Sequence, residues 1–279
     1  MKQKIVFFGS GDYVIPIVEK LKTHGLELVV TTEPQGKFTD YLKKENIPYI
    51  YSKLKKEEDT GKVLGSNTTL GILASYGAII PKKIIDFFPL GILNIHPSLL
   101  PKYKGPSPVQ FTILNGDKVG GVSIIKLDDK VDHGPIILQK EVILEGNETL
   151  QTLTKKLFYE GSNLIEKIVQ KIENGEYFEE HLQDEKNEVW TKKITKPDGK
   201  IDLLKPLSVS ELNRRIRAFF PWPGVYLTAS INKSPKNVKL LPQNKIQVEG
   251  KNVMSYKDFI NGYPEGKEIL EKLGVGYAV

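Results

Sequence analysis

The sequence predicts an α/β fold: a mostly parallel sheet with helices on both faces, followed by a small β-rich C-terminal domain. Three observations lead there. Apolar runs of strand length alternate with segments of helical spacing as far as residue 115. From residue 120 the period changes to two strands joined by a polar loop. Beyond residue 200 a single amphipathic helix precedes short strands and turns. In order, residues 4–9 hold the apolar run IVFF, residues 13–24 (YVIPIVEKLKTH) have helical spacing, and 26–31 (LELVVT) form a second strand, which is a βαβ unit. Strands are expected again at 47–51, 69–74 and 91–95, with helices at 39–46, 55–65, 81–88 and 107–115 between and after them. Strands at 120–127 and 135–144 flank the loop 128–134, so the sheet should end antiparallel. The longest helix, 149–174, has a threonine in front and Gly175 behind. The charge-mixed stretch 176–200 reads as a linker, dividing a catalytic domain, 1–175, from a C-terminal domain, 201–279, whose helix stops before Pro221.

At 279 residues the chain suits two domains, and 39% hydrophobic with 27% charged residues is the balance of an ordinary globular protein. It has no cysteine, which excludes disulfides, thiolate nucleophiles and cysteine-based zinc sites. The apolar run in MKQKIVFFGSGDYVIP is too short for a signal-peptide core, and no stretch approaches a membrane span, so a cytoplasmic location with no membrane partner is expected. The net charge is +6, and from residue 198 onward 13 Lys plus Arg face 8 Asp plus Glu, so the tail carries most of the surplus. Arg214, Arg215 and Arg217 are the only arginines in a chain otherwise written in lysine. A guanidinium fork suits phosphate or carboxylate, although a solvated basic helix face would look the same.

LNIHPSLLPKYKGPSP, residues 93–108, ends a strand with Asn94 and His96 two positions apart and therefore on one face. Ligands of parallel sheets gather outside the carboxyl ends of strands where the strand order reverses. The Asn amide can donate to an oxygen that gains charge, and His can hold a proton near neutrality. A carboxylate partner could come from Asp128, Asp129 or Asp132 in LDDKVDHGP; Asp132 stands at the sharp turn into the next strand, where it could equally cap that turn. His133 is the other candidate histidine. No HxH, HxxxH or HExxH spacing exists, so no metal is expected. GSGDYV lacks the third glycine of a dinucleotide fingerprint, and neither a GxxxxGK[ST] phosphate loop nor a GxSxG elbow is present. Direct group transfer is the chemistry left.

LNIHPSLLPKYKG, the later VDHGPII and the earlier ASYGAIIP together resemble the formyltransferases that use 10-formyltetrahydrofolate. That resemblance implies a Rossmann-like catalytic domain with Asn94, His96 and Asp132 as the catalytic set. It also implies a folate site at Tyr76, Gly77, Ile80, Ser98, Leu99, Leu100, Pro101 and Asp128. LNRRIRAFFPWPGVYLT and EGKNVMSYKDFINGY resemble the C-terminal domain of the members that act on methionyl-initiator tRNA, which implies an OB-like barrel there. Initiator methionyl-tRNA and the folate donor are the implied partners of a monomer, with Lys37, Arg214, Arg215 and Arg217 meeting the tRNA. An amino sugar on a nucleotide is the alternative acceptor, because sugar-nucleotide formyltransferases share this organisation. Departures from the family pattern stand out, one of them a short C-terminal domain of about 80 residues. TEPQGKFTDYLKKEN leaves about six residues between the second strand and the next helix, where bacterial tRNA-acting members carry a long basic loop. His133 also replaces a residue that is usually small.

Overall fold

The computed structural model describes residues 2–65, 67–205 and 207–275. The chain forms two compact units: residues 1–105, 119–142 and 154–190 make the first, and 106–118, 143–153 and 191–279 the second.

In the first unit β1 (Ile5–Gly9), α1 (Ile15–Lys22), β2 (Leu26–Thr31), α2 (Lys37–Lys44), β3 (Tyr49–Tyr51), α3 (Glu57–Leu64), β4 (Leu70–Ala74), α4 (Lys82–Ile85) and β5 (Ile92–His96) alternate as expected. A short strand, β6 (Lys102–Lys104), follows; α5 (Pro108–Leu114) lies in the second unit, and the chain returns through β7 (Val119–Lys126) and β8 (Ile136–Ile143). The long helix α6 (Leu150–Glu173) and β9 (Val189–Trp190) complete the series. The seven-stranded sheet has the order β3-β2-β1-β4-β5-β7-β8. Its first five strands are parallel, and β7 pairs antiparallel to β5 with His96 opposite Ser123.

Strand alternation explains why both faces need cover. Ile5 and Phe7 of β1 pack with Ile17, Val18 and Leu21 of α1 and Ile165, Ile168 and Val169 of α6. Val6 and Phe8, one residue out of phase, pack on the other side with Val63, Ile84 and Phe88. Each such side chain, fully buried, contributes about 1.5–3 kcal/mol, so a one-residue register slip would expose a whole face.

Two details differ from the expectation. The strand order reverses between β1 and β4, so β5 stands one strand away from the switch point rather than at it. The segment read as a linker is structured up to Trp190 as part of the first unit: His181 bridges to Ile136, and β9 runs parallel to β6. Its charged composition hid this, because the contacts are made by backbone and by a few polar side chains rather than by an apolar stripe.

The second unit gathers α5, the 143–149 loop and the chain from Thr191. It holds α7 (Val209–Ala218), which ends before Pro221 as expected, then β10 (Val225–Ile231), β11 (Ser234–Leu241), β12 (Lys245–Val248), β13 (Met254–Ser255), α8 (Tyr256–Gly262) and α9 (Gly266–Lys272). Where an OB-like barrel was expected, the described residues form a four-stranded antiparallel sheet in sequential order. Its last strand is two residues long, and at its other edge Lys200 makes an isolated parallel bridge to Tyr226 of β10.

Candidate active site

All five residues of β5 are buried, and the sheet carries Asn94 and His96 to its C-terminal rim at 6% and 5% exposure. Asp132 arrives from the loop between β7 and β8, 9% exposed and in the left-handed region at φ 49°. Its Oδ1 lies 3.5 Å from Asn94 Nδ2 and 3.5 Å from His96 Nδ1, so one carboxylate oxygen faces both partners. Its Oδ2 accepts a 2.8 Å hydrogen bond from the backbone N–H of Gly105, which locks the direction of the carboxylate. His96 Nε2 lies 3.0 Å from Tyr103 O. A carbonyl oxygen only accepts, so Nε2 carries hydrogen and Nδ1 is the nitrogen that meets Asp132.

The stretch after His96 is fastened by hydrogen bonds that sequence reading missed. Ser123 Oγ donates to Ser98 O at 2.6 Å and accepts from Leu100 N at 3.0 Å. Gln139 Nε2 donates to Leu100 O at 2.9 Å and to Ser123 Oγ at 2.8 Å. Ser98 Oγ donates to Lys102 O at 2.7 Å, and the Leu100–Pro101 peptide bond is cis. Gly121 makes room for Leu99: a Cβ there would lie 2.4 Å from Leu99 Cδ2 and 2.5 Å from Lys140 O. The one visible signal for Ser123 is a hydroxyl in the otherwise apolar run GGVSII; the roles of Tyr103 O and Gly105 N–H had none, because any residue offers those groups.

Tyr76, Gly77 and Ile80 follow β4, but the Tyr76 side chain is not at the rim. It is 1% exposed within the core on Phe8, and its hydroxyl donates to Ser52 O at 2.8 Å. Burial, with Asp59 nearby, pushes that phenol well above its ordinary value. Ile80 is buried as well, while Ile79 is 85% exposed. From this stretch the chain therefore presents backbone and Ile79 rather than the tyrosine ring. Asp128 turns away to its own loop, with Oδ1 accepting from Lys130 N at 3.0 Å and Oδ2 2.5 Å from His133 Nδ1. His133 Nε2 is 3.5 Å from Glu185 Oε1, so this histidine links two carboxylates instead of joining Asn94 and His96. No group of three or more His, Asp or Glu side chains among the described residues is placed to hold a metal.

The basic residues named from sequence stand in different surroundings. Lys37 is exposed at the first position of α2 in the first unit. In the second unit Arg214 Nε donates to Leu114 O at 2.8 Å and Nη1 to Ser210 Oγ at 2.7 Å. Arg217 Nη1 donates to Glu148 O at 2.8 Å, and burial lowers its pKa. These two arginines tie α7 to the end of α5 and to the 143–149 loop through backbone carbonyls. Both line a cleft of ≈ 850 Å³ with Lys118, Asn213 and Asn244. Arg215 is half-buried and makes no side-chain hydrogen bond or ion pair among the described residues.

Residues 3–169 match the formyl transferase family. A methionyl-tRNA formyltransferase of Dehalococcoides mccartyi is 30% identical over 302 aligned positions, covering 93% of this chain and 95% of that protein. Among solved structures, a 4-N formyltransferase from Francisella tularensis superposes with a TM-score of 0.70 at 21% identity, over 87% of this chain and 98% of that one. A phosphoribosylglycinamide formyltransferase from Bacillus halodurans gives a TM-score of 0.55 at 27% identity and covers 61% of this chain and 95% of its own. The family match over residues 3–169 and the similarity that covers 93% of the chain agree: the chain belongs to the formyl transferase family and is an enzyme of that kind.

Proposed function

We propose that Asn94, His96 and Asp132 form the reacting centre of an enzyme that formylates the amino group of methionyl-initiator tRNA, with 10-formyltetrahydrofolate as donor. The observation that carries the reading is the single Asp132 oxygen placed 3.5 Å from both Asn94 Nδ2 and His96 Nδ1. Attack of the amine on the formyl carbon forms a C–N bond and puts negative charge on the formyl oxygen. Asn94 is the donor to that oxygen, since its amide carries two N–H groups and makes one long contact here. His96 was expected to share that task, yet its Nε2–H is given to Tyr103 O. It becomes a second donor to the formyl oxygen only if it leaves that carbonyl. The pair His96 and Asp132 takes the proton released by the attacking amine and returns it to the folate nitrogen as the old C–N bond breaks. Leu99 and Leu100, held by Ser123 and Gln139, supply the apolar side of the folate slot, with the backbone of Tyr76 to Ile80 on the other.

The C-terminal domain, 201–279, takes the tRNA in this reading. Arg215 and Lys37 have side chains at liberty to meet phosphate, whereas Arg214 and Arg217 are held by carbonyls. The enzyme works as a cytoplasmic monomer. Supplying charged initiator tRNA and the folate donor should give formylmethionine. Formylation of an amino-sugar nucleotide with none of methionyl-tRNA would replace this acceptor with the other.

A further inference from the structure

We infer that Gln183 is a positioning residue for Asp132, acting from the segment between the catalytic and C-terminal portions of the chain. Its one amide nitrogen donates to Asp132 O at 2.9 Å and to Gly134 O at 2.8 Å, so both hydrogens are spent on the two ends of the turn that presents the carboxylate. That turn needs holding. Asp132 is left-handed at φ 49°, a conformation a non-glycine residue adopts at a cost. Gly134 runs so close to the preceding strand that a Cβ would sit 1.8 Å from Lys126 O. Gly105 N–H fixes the carboxylate end of Asp132, and Gln183 fixes its backbone end.

The arrangement around Gln183 points the same way. Its Oε1 is buried without a partner among the described residues, a cost that a side chain in a mere tether would avoid by facing water. The residues on either side dock on both shoulders of the rim. His181 exchanges two backbone hydrogen bonds with Ile136, at 2.8 and 2.9 Å. Glu188 pairs with the fully buried Lys104, and Val189 N donates to Pro101 O at 3.2 Å. β9 thereby lies beside β6, the strand whose Tyr103 carbonyl holds His96. A segment whose sequence reads as a spacer is thus a brace, with Gln183 as its contact to the carboxylate loop.

This inference rests on the reading that Asp132 acts at the reacting centre, and its test separates the two. The full-length enzyme is compared with Gln183→Met, which keeps the length and loses both donors, Gln183→Glu, which sets a carboxylate against two carbonyls, Asp132→Asn, and Asp132→Asn combined with Gln183→Met. Formyl transfer to charged initiator tRNA and thermal melting are measured on each. The expected result is a kcat about 10- to 100-fold lower for Gln183→Met, with KM for both substrates within about twofold, and a larger loss for Gln183→Glu. In the Asp132→Asn background Gln183→Met should cost no more than about twofold, because a residue that acts through Asp132 has nothing left to act on. Parental kcat in Gln183→Met, or a loss that multiplies in full in the double variant, overturns the positioning role. Parental kcat in Asp132→Asn overturns the reading beneath it instead.

Discussion

At the scale of single residues, the proposed site depends on a few buried polar atoms. Asn94 buries little apolar area, so Asn94→Ala should leave the melting temperature within a few degrees while lowering kcat by about 10²–10³-fold, the cost of removing one oxyanion donor. Retention of near-parental turnover would remove Asn94 from the reacting centre. Gly121 offers a different probe, because it touches Leu99 and no reacting atom. In Gly121→Ala the new methyl would stand 2.4 Å from Leu99 Cδ2 and 2.5 Å from Lys140 O, so the leucine and the β8 backbone at Lys140 must both give way. Displacement of Leu99 should raise KM for the formyl donor more than it lowers kcat, with a stability loss of about 1–3 kcal/mol; steady-state kinetics in the donor at saturating tRNA checks this.

At the scale of elements, helix α7 combines fastening with exposed charge. Ser208 and Glu211 form a capping box at its start: Ser208 Oγ accepts from Glu211 N at 3.2 Å, and the Glu211 carboxylate accepts from Ser208 N at 2.9 Å. Ser208→Ala should cost about 0.5–2 kcal/mol by denaturant unfolding. The three arginines on this helix should separate by function. Arg214→Ala and Arg217→Ala, which strip donors from Leu114 O and Glu148 O, should lower the melting temperature. Arg215→Ala should leave it unchanged and weaken tRNA binding. The reverse pattern would return Arg215 to a solvated role. Nearby, the turn Lys196–Gly199 depends on Asp198, whose carboxyl is held down to about 2 by Lys192 and then by Thr195. A folded value below the unfolded one, near ~4, means that its contribution is complete at neutral pH and is lost as pH falls through that interval toward 2. Amide protection factors in this turn, taken relative to the intrinsic exchange rate at each pH, should fall on acidification, and Asp198→Asn should remove that fall.

At the scale of the whole molecule, charge is unevenly distributed along the chain, and with a polyanionic acceptor that asymmetry becomes a salt effect. Affinity for initiator tRNA should fall linearly in log–log form as salt rises, with the Arg215→Ala slope shallower by about one contact. A flat salt response would point to an acceptor other than tRNA. Most of the parallel sheet was legible because its central strands are buried on both faces and read as apolar runs between helical periods, as β1, β4 and β5 show. For the C-terminal portion the described residues give a four-stranded antiparallel sheet, and short half-exposed strands do not announce in sequence how far such a sheet continues.

Sequence alone determined the alternation of elements, the pairing of Asn94 with His96 on one strand face, and the presence of a carboxylate in the loop before β8. Those are matters of period and spacing, which are local. The family resemblance had already chosen Asp132 over Asp128; only the tertiary structure decided that the Tyr76 ring is core and Ile79 is surface, and that His96 donates to Tyr103 O. It also turned residues 181–190 from spacer into brace. Several of these rest on backbone groups that any sequence can supply, such as Tyr103 O, Asp132 O and Gly134 O, met by side chains whose approach only the fold determines. Nothing in residue type or spacing encodes which of them will meet.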